Sequence, residues 1–193
     1  SGGGGSGATV SLSGTSEATA TANSSGTYTF TGLANGSYTI TPSKTGYIMT
    51  PASQTVTISG ANKTANFTSA PVYTISGTIS GGGGSGATVN LTGAATATTT
   101  ANTSGAYSFS VPNGSYTVTP NKTGYNFTPT SQAVTVSGSN KTANFSSTAQ
   151  TFTITGTISG TGGSGATVKL TGSATATTTA SSSGTYTFSG LAN

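Results

Sequence analysis

The chain has no cysteine, histidine, tryptophan, arginine or aspartate, and its only acid is Glu17. Without cysteine there is neither a disulfide framework nor a thiolate metal site. With no histidine and a single carboxylate, the groups that general acid–base catalysis and metal ligation require are missing, so an enzyme is not expected and the expected set of cofactors and metals is empty. Charged residues make up 3% of the chain, and its five lysines leave a formal net charge of +4. Charges so sparse cannot form the basic stripe that nucleic acid requires as a partner. No apolar run approaches the roughly 18 residues needed to cross a bilayer, and Ser1 reads as an internal or processed start.

What remains is mostly Gly, Ser and Thr, punctuated by aromatics in a fixed order. The runs Gly26-Thr-Tyr-Thr-Phe30, Gly105-Ala-Tyr-Ser-Phe109 and Gly184-Thr-Tyr-Thr-Phe188 alternate aromatic and small polar residues, the pattern of a half-buried strand. Two of them lead into Asn35-Gly-Ser-Tyr-Thr-Ile40 and Asn113-Gly-Ser-Tyr-Thr-Val118. The Asn-Gly pair between alternating strands predicts a β-hairpin with one apolar face. This strict patterning argues against the disorder that low charge and abundant Gly and Ser would otherwise suggest.

Ala-Thr-Val recurs at residues 8, 87 and 166, a spacing of 79 both times. Such a period is too long for most solenoid repeats and matches a small domain. The expected division is repeat 1 over residues 1–72, lacking its first strand, a complete repeat 2 over 73–150, and the first half of repeat 3 over 151–193. Taken alone, such a chain has an open slot in repeat 1 and unpaired strand edges in repeat 3. The plain account is a window cut from a longer array, and the sharper one is pairing of strands between subunits.

Repeat 2 shows the elements most fully. Tyr73–Ile79 reads as a first strand with Ile75 and Ile79 on one face, and Ala87–Thr92 as a second with Val89 and Leu91 inward. The Thr-rich Ala97–Ala101 suits an edge. Tyr107, Phe109, Tyr116 and Val118 line the expected hairpin, which Pro120 ends. Lys122–Pro129, held between prolines, reads as an extended crossover, and Gln132–Val136 and Thr142–Phe145 complete the set. About seven short strands with turn signals between them predict an all-β antiparallel sandwich. A bead of this size buries only about 60% of its unfolded-chain surface, so neighbouring beads are expected to matter.

The order Ser-Gly-Thr-Ile, Gly-Ala-Thr-Val-x-Leu, Ser-Gly-x-Tyr-x-Phe, Asn-Gly-Ser-Tyr-Thr-Val, Lys-Thr-Gly-Tyr and a closing Asn-Phe resembles the carboxypeptidase regulatory-like domains and the related Cna B-type repeats. That resemblance implies tandem seven-stranded prealbumin-like (Ig-like) Greek-key sandwiches of the kind strung along bacterial and archaeal surface proteins. It covers all of repeat 2, most of repeat 1 and the first half of repeat 3. The family often has Asp in the turn before Gly-x-Tyr-x-Phe, where this chain has Asn23, Asn102 and Ser181; these also bond the local backbone, so the turn is expected to form. Some relatives carry a Lys–Asn isopeptide bond. Asn66 and Asn144 could supply the amide, but the first strands at 73–80 and 151–159 hold no Lys, and Thr96 and Thr175 stand where repeat 1 has Glu17.

Few residues are left as site candidates. The glycine runs Ser1–Gly7, Ser80–Gly86 and Ser159–Gly165 lack the Gly-Lys-Ser/Thr and the helix of a phosphate loop, and read as turns. Lys44, Lys63, Lys122, Lys141 and Lys169 read as solubilising charges that discourage edge pairing. Tyr47 and Tyr125, beside Gly and Lys, are candidates for stacking on sugars, with core or interface packing as the plainer role. Of 12 asparagines, 11 have Ser or Thr two residues on with no Pro between. Asn62, Asn90 and Asn140 are the best placed for glycosylation, whereas Asn35 and Asn113 are explained as turn residues.

The sequence therefore points to a non-enzymatic structural subunit of an extracellular filament, stalk or surface appendage at the cell surface. Its expected partners are copies of itself joined head to tail by strand complementation, together with surface glycans. The alternative is an adhesin or carbohydrate-binding repeat of a larger secreted protein, and the setting of Tyr47 and Tyr125 distinguishes the two.

Overall fold

The computed structural model describes residues 3–192; Ser1, Gly2 and Asn193, and with them the start of the first glycine run, lie outside the described residues. Among the described residues there is no helix. Strands β1 (Thr9–Gly14), β2 (Ala18–Thr21), β3 (Gly36–Ser43), β4 (Tyr47–Thr50), β5 (Gln54–Ile58) and β6 (Thr68–Pro71) fall in repeat 1. Repeat 2 holds β7 (Tyr73–Ser80), β8 (Thr88–Gly93), β9 (Ala97–Thr100), β10 (Ala106–Val111), β11 (Gly114–Asn121), β12 (Tyr125–Thr128), β13 (Gln132–Val136), β14 (Lys141–Thr142) and β15 (Phe145–Ala149). The half repeat that follows holds β16 (Thr151–Thr157), β17 (Thr167–Leu170), β18 (Ala176–Thr179) and β19 (Thr185–Ala192).

In repeat 2 one sheet runs β13-β11-β8-β9 and the other β10-β7-β15-β12, with β14 also paired to β7. Alternate residues of both sheets point inward. Ile75, Ile79, Val89, Leu91, Tyr107, Phe109, Tyr116, Val118, Val136 and Phe145 form a single buried cluster. This is the sandwich arrangement, two β layers closing over one apolar core. The Thr-rich β9 lies at an edge, as its composition suggests. β7 pairs antiparallel with β10 but parallel with β14 and β15, so the first and last strands of the repeat lie side by side.

Two sequence expectations fail here. β10 and β11 are not a hairpin, since β10 pairs with β7 in one sheet and β11 with β8 and β13 in the other. Residues 112–113 form a corner between layers. Among the described residues every one with positive φ is a glycine, and Gly114 is not among them, so no primed hairpin turn exists at Asn113-Gly114. The corner is locked instead by Tyr116, whose hydroxyl donates to the Pro112 carbonyl at 2.8 Å, and by Asn113, whose side-chain oxygen accepts from the Gly138 amide at 2.8 Å. Tyr38 with Ala34, and Asn35 with Gly60, repeat both bonds in repeat 1. The tyrosine bond is the one that pins sheet-to-sheet corners in Greek-key sandwiches.

Pro120, expected to end its strand, is buried within β11 opposite Val89, past the β13 ladder, whose last pair is Val118 with Gln132. No bond to β13 is therefore lost at Pro120. The crossover expected over Lys122–Pro129 contains β12, a short edge strand paired with β15. The turn before Gly-x-Tyr-x-Phe forms in all three repeats. Asn23 and Asn102 accept backbone amides two and four residues on, and Ser181 does the same with its hydroxyl.

Repeat 1 has the counterpart of the first sheet, β2-β1-β3-β5, but only β4-β6 of the second. Residues 27–31, the counterpart of β10, have no strand partner. In the half repeat, β16 pairs with β19 and β17 with β18. Successive repeats follow one another almost without a linker, since only Val72 separates β6 from β7 and only Gln150 separates β15 from β16.

Candidate functional site

The place that β7 occupies in repeat 2 defines the site. Tyr107 on β10 stands opposite Gly77, and its hydroxyl passes over that glycine to donate to the Ala143 carbonyl. Ala143 lies where the chain breaks between β14 and β15, with its carbonyl turned toward the tyrosine. The amides of β7 are met by side chains instead: Asn140 Oδ1 accepts from Thr74 at 2.8 Å and Asn144 Oδ1 from Thr78 at 2.9 Å. The Ala143 amide in turn donates to Ser76. β7 is thus held by the β10 ladder on one side and, on the other, by the asparagine pair together with short parallel pairings to β14 and β15, beneath a tyrosine bridge.

Repeat 1 has the same fittings around an open groove of about 650 Å³. Tyr28, Phe30, Leu33, Tyr38, Ile58 and Asn66 line it, with Asn62 at its rim. Tyr28 donates to the Ala65 carbonyl at 2.7 Å, closing over the spot that corresponds to Gly77. Asn62 and Asn66 stand where Asn140 and Asn144 do in repeat 2, and among the described residues neither side chain has a hydrogen-bond partner. The apolar floor is partly open: Tyr28, Phe30 and Phe67 are half-buried, whereas Tyr107, Phe109 and Phe145 are buried. Burial raises the Tyr28 hydroxyl above its ordinary range and pushes that of Tyr107 up to about 12.

β16 has the complementary character. It is bonded to β19 along one edge only, and Phe152 and Ile154 on it are 51% and 45% exposed, while Ile75, the counterpart of Ile154, is fully buried.

The other candidates fall elsewhere. Tyr47 and Tyr125 are half-buried, each laid on the glycine run of its own repeat. A Cβ on Gly83 would stand 2.6 Å from the Tyr125 ring, and one on Gly4 would collide with Tyr47. Lys44 and Lys122 sit 5.0 and 5.2 Å from those ring centroids while donating to the Ser6 and Ser85 carbonyls. A shallow cleft lined by Pro42, Lys44, Ile48 and Ala52 runs beside Tyr47. Among the glycosylation candidates, Asn62 and Asn140 are exposed, the Asn140 oxygen being engaged with β7, while Asn90 is half-buried and accepts from the Thr98 hydroxyl at 3.0 Å. Sequence reasoning weighs Asn66 and Asn144 as isopeptide amides and as formal glycosylation acceptors, and misses that Asn144 holds a strand. The signal was the repeated Asn-Lys-Thr-Ala-Asn-Phe at 62–67 and 140–145.

Comparison with known families places the first two repeats. The carboxypeptidase regulatory-like domain matches residues 1–70. Repeat 1 is similar to that domain. The second beta sandwich domain of the BOS complex subunit NOMO1-like family matches residues 71–150. The carboxypeptidase regulatory-like resemblance read from motif order is thus met by an independent match. Comparison with curated proteins finds no match. Among solved structures, the Bacillus anthracis TIE protein is 13% identical with a TM-score of 0.46, over 96% of this chain and 40% of that one. GBS52, the minor pilin of the gram-positive pathogen Streptococcus agalactiae, is 13% identical with a TM-score of 0.34, over 75% of this chain and 83% of that one. The chain spans less than half the length of the TIE protein.

Proposed function

We propose that the chain is a non-enzymatic structural subunit of an extracellular filament, stalk or surface appendage, whose copies join head to tail by strand complementation. The observation that carries this reading is the match between the groove of repeat 1 and the open-edged strand β16. On one flank the groove presents Gly26-Thr-Tyr-Thr-Phe30, identical in sequence to the Gly184-Thr-Tyr-Thr-Phe188 that β16 already pairs with. A β16 strand entering the groove of a second copy exchanges one antiparallel partner for another of the same sequence. It gains in addition the flank at residues 62–67 and buries Ile154. One edge is close to neutral and the other favourable, which is the balance that makes strand exchange between copies feasible. The seating of Tyr47 and Tyr125 on their own glycine runs supports a packing role for both and leaves sugar stacking without support.

The test uses the absence of cysteine. The variant Asn66→Cys/Thr157→Cys, treated with a short thiol cross-linker, should give a ladder of covalent oligomers, since residue 157 is the counterpart of Thr78, which meets Asn144 in repeat 2. Sedimentation velocity of the unmodified chain should show concentration-dependent growth, and negative-stain microscopy should show rods. A chain that stays monomeric at all concentrations, with no ladder, overturns the proposal.

A further inference from the structure

We infer that the groove of repeat 1 reads the register of an incoming strand through a glycine, so that the acceptable strand has the form Thr-Ile-x-Gly-Thr-Ile. The inference rests on the reading of the groove as a strand receptor, and it adds what the receptor selects. In repeat 2 a Cβ on Gly77 would run into the Ala143 carbonyl and stand 2.7 Å from the Tyr107 hydroxyl. No side chain fits beneath the bridge. In repeat 1 the Tyr28–Ala65 bond already spans the corresponding place, so the gate stands across an open groove.

The asparagine pair sets the remaining coordinates. Asn140 and Asn144 accept from Thr74 and Thr78, four residues apart on β7, with Gly77 just ahead of the second. Asn62 and Asn66 have the same spacing. On β16 the corresponding residues are Thr153, Gly156 and Thr157, and Gly156 already lies beneath the Tyr186 ring, where a Cβ would be 2.5 Å from its hydroxyl. A slip of one residue puts Ser or Thr under the bridge and turns both isoleucines away from the core. A slip of two restores the face but forces a β-branched isoleucine, Ile154 or Ile158, against the Ala65 carbonyl. Only the glycine register satisfies the gate, the asparagine pair and the apolar floor together.

A labelled synthetic peptide of Thr151–Ser159 and its Gly156→Ala counterpart, titrated by fluorescence anisotropy into dilute full chain, test this. The glycine peptide should bind saturably, and the alanine peptide about ten- to a hundredfold more weakly, the range expected for an extra methyl in filled space. The exposed Asn66→Ala chain should keep its melting profile yet bind the glycine peptide about three- to tenfold more weakly. Alanine and glycine peptides that bind within about twofold of each other overturn the inference even if the chain polymerises. Selective binding of the glycine peptide by a chain that never polymerises upholds the inference and removes the filament reading. Failure of both peptides to bind overturns the inference, whatever the chain does by itself.

Discussion

The hydroxyl of Tyr107 crosses the neighbouring strand at Gly77 to reach the carbonyl of Ala143, joining β10 to the break between β14 and β15 over the back of β7. Ala143 is fully buried, so its carbonyl has no water to turn to. Tyr107→Phe keeps the ring and removes the bond. The expected cost is about 1–3 kcal/mol, the range for a buried acceptor left unpaired. Urea melts that report on repeat 2 check it, and a change below a few tenths of a kcal/mol would show that the carbonyl finds another donor.

Phe109 and Phe30 occupy equivalent places in different surroundings. Phe109 is buried in the core of repeat 2, whereas Phe30 lies half-exposed at the groove of repeat 1. Phe109→Ala should destabilise repeat 2 by about 3–5 kcal/mol, enough to unfold a small bead. Phe30→Ala should cost clearly less in the isolated chain, because less surface leaves water there. Equal losses in paired denaturant melts would contradict the structural difference.

Stability should be flat between about pH 5 and 8, where no side chain of this composition ordinarily titrates. The alkaline limb is different. Burial lifts the Tyr107 hydroxyl from 10.0 to about 12 in the folded chain. Below the unfolded value both states are protonated and nothing is lost; above it the unfolded chain sheds its proton first. Stability should therefore fall as pH rises from 10 toward 12. Tyr107→Phe should soften that decline relative to the parent, as thermal melts across the range would record. A chelator should leave the far-ultraviolet β signal unchanged.

Gly83 lies beneath the Tyr125 ring in the glycine run after β7, with its amide donating to Ser147 Oγ at 3.0 Å. Gly83→Ala should cost about 1–3 kcal/mol by forcing a methyl against the ring. Gly86→Ala serves as the comparison, since its space is open and its positive φ alone opposes a side chain. Loss of Tyr125 packing in the first variant and its retention in the second would show as a difference in tyrosine fluorescence.

The core was legible because period-2 alternation depends on burial alone. Ile75, Ile79, Val89, Leu91, Tyr107, Phe109, Tyr116 and Val118 were all expected inward and are buried. The same alternation cannot say which layer a strand joins, since Tyr107 on one sheet and Tyr116 on the other both point to the shared core. A corner between layers and a hairpin within one layer therefore show the same pattern. The groove was legible only as a missing strand. Its fittings depend on contacts 66 residues apart, between Thr78 and Asn144 and between Thr74 and Asn140, which no local pattern displays.

Because repeat 2 is entered through β7 and left through β15, and the two run in the same direction side by side, tension applied at Val72 and Gln150 drags the strands past each other along their own axes. The bonds between them, with those from Asn140 and Asn144, then bear the load together in shear instead of peeling apart singly. With one residue between repeats, hardly any slack takes up the pull before those bonds feel it. A repeat held in this way yields late and abruptly, so a string of them transmits force with little stretch until a whole bead gives way.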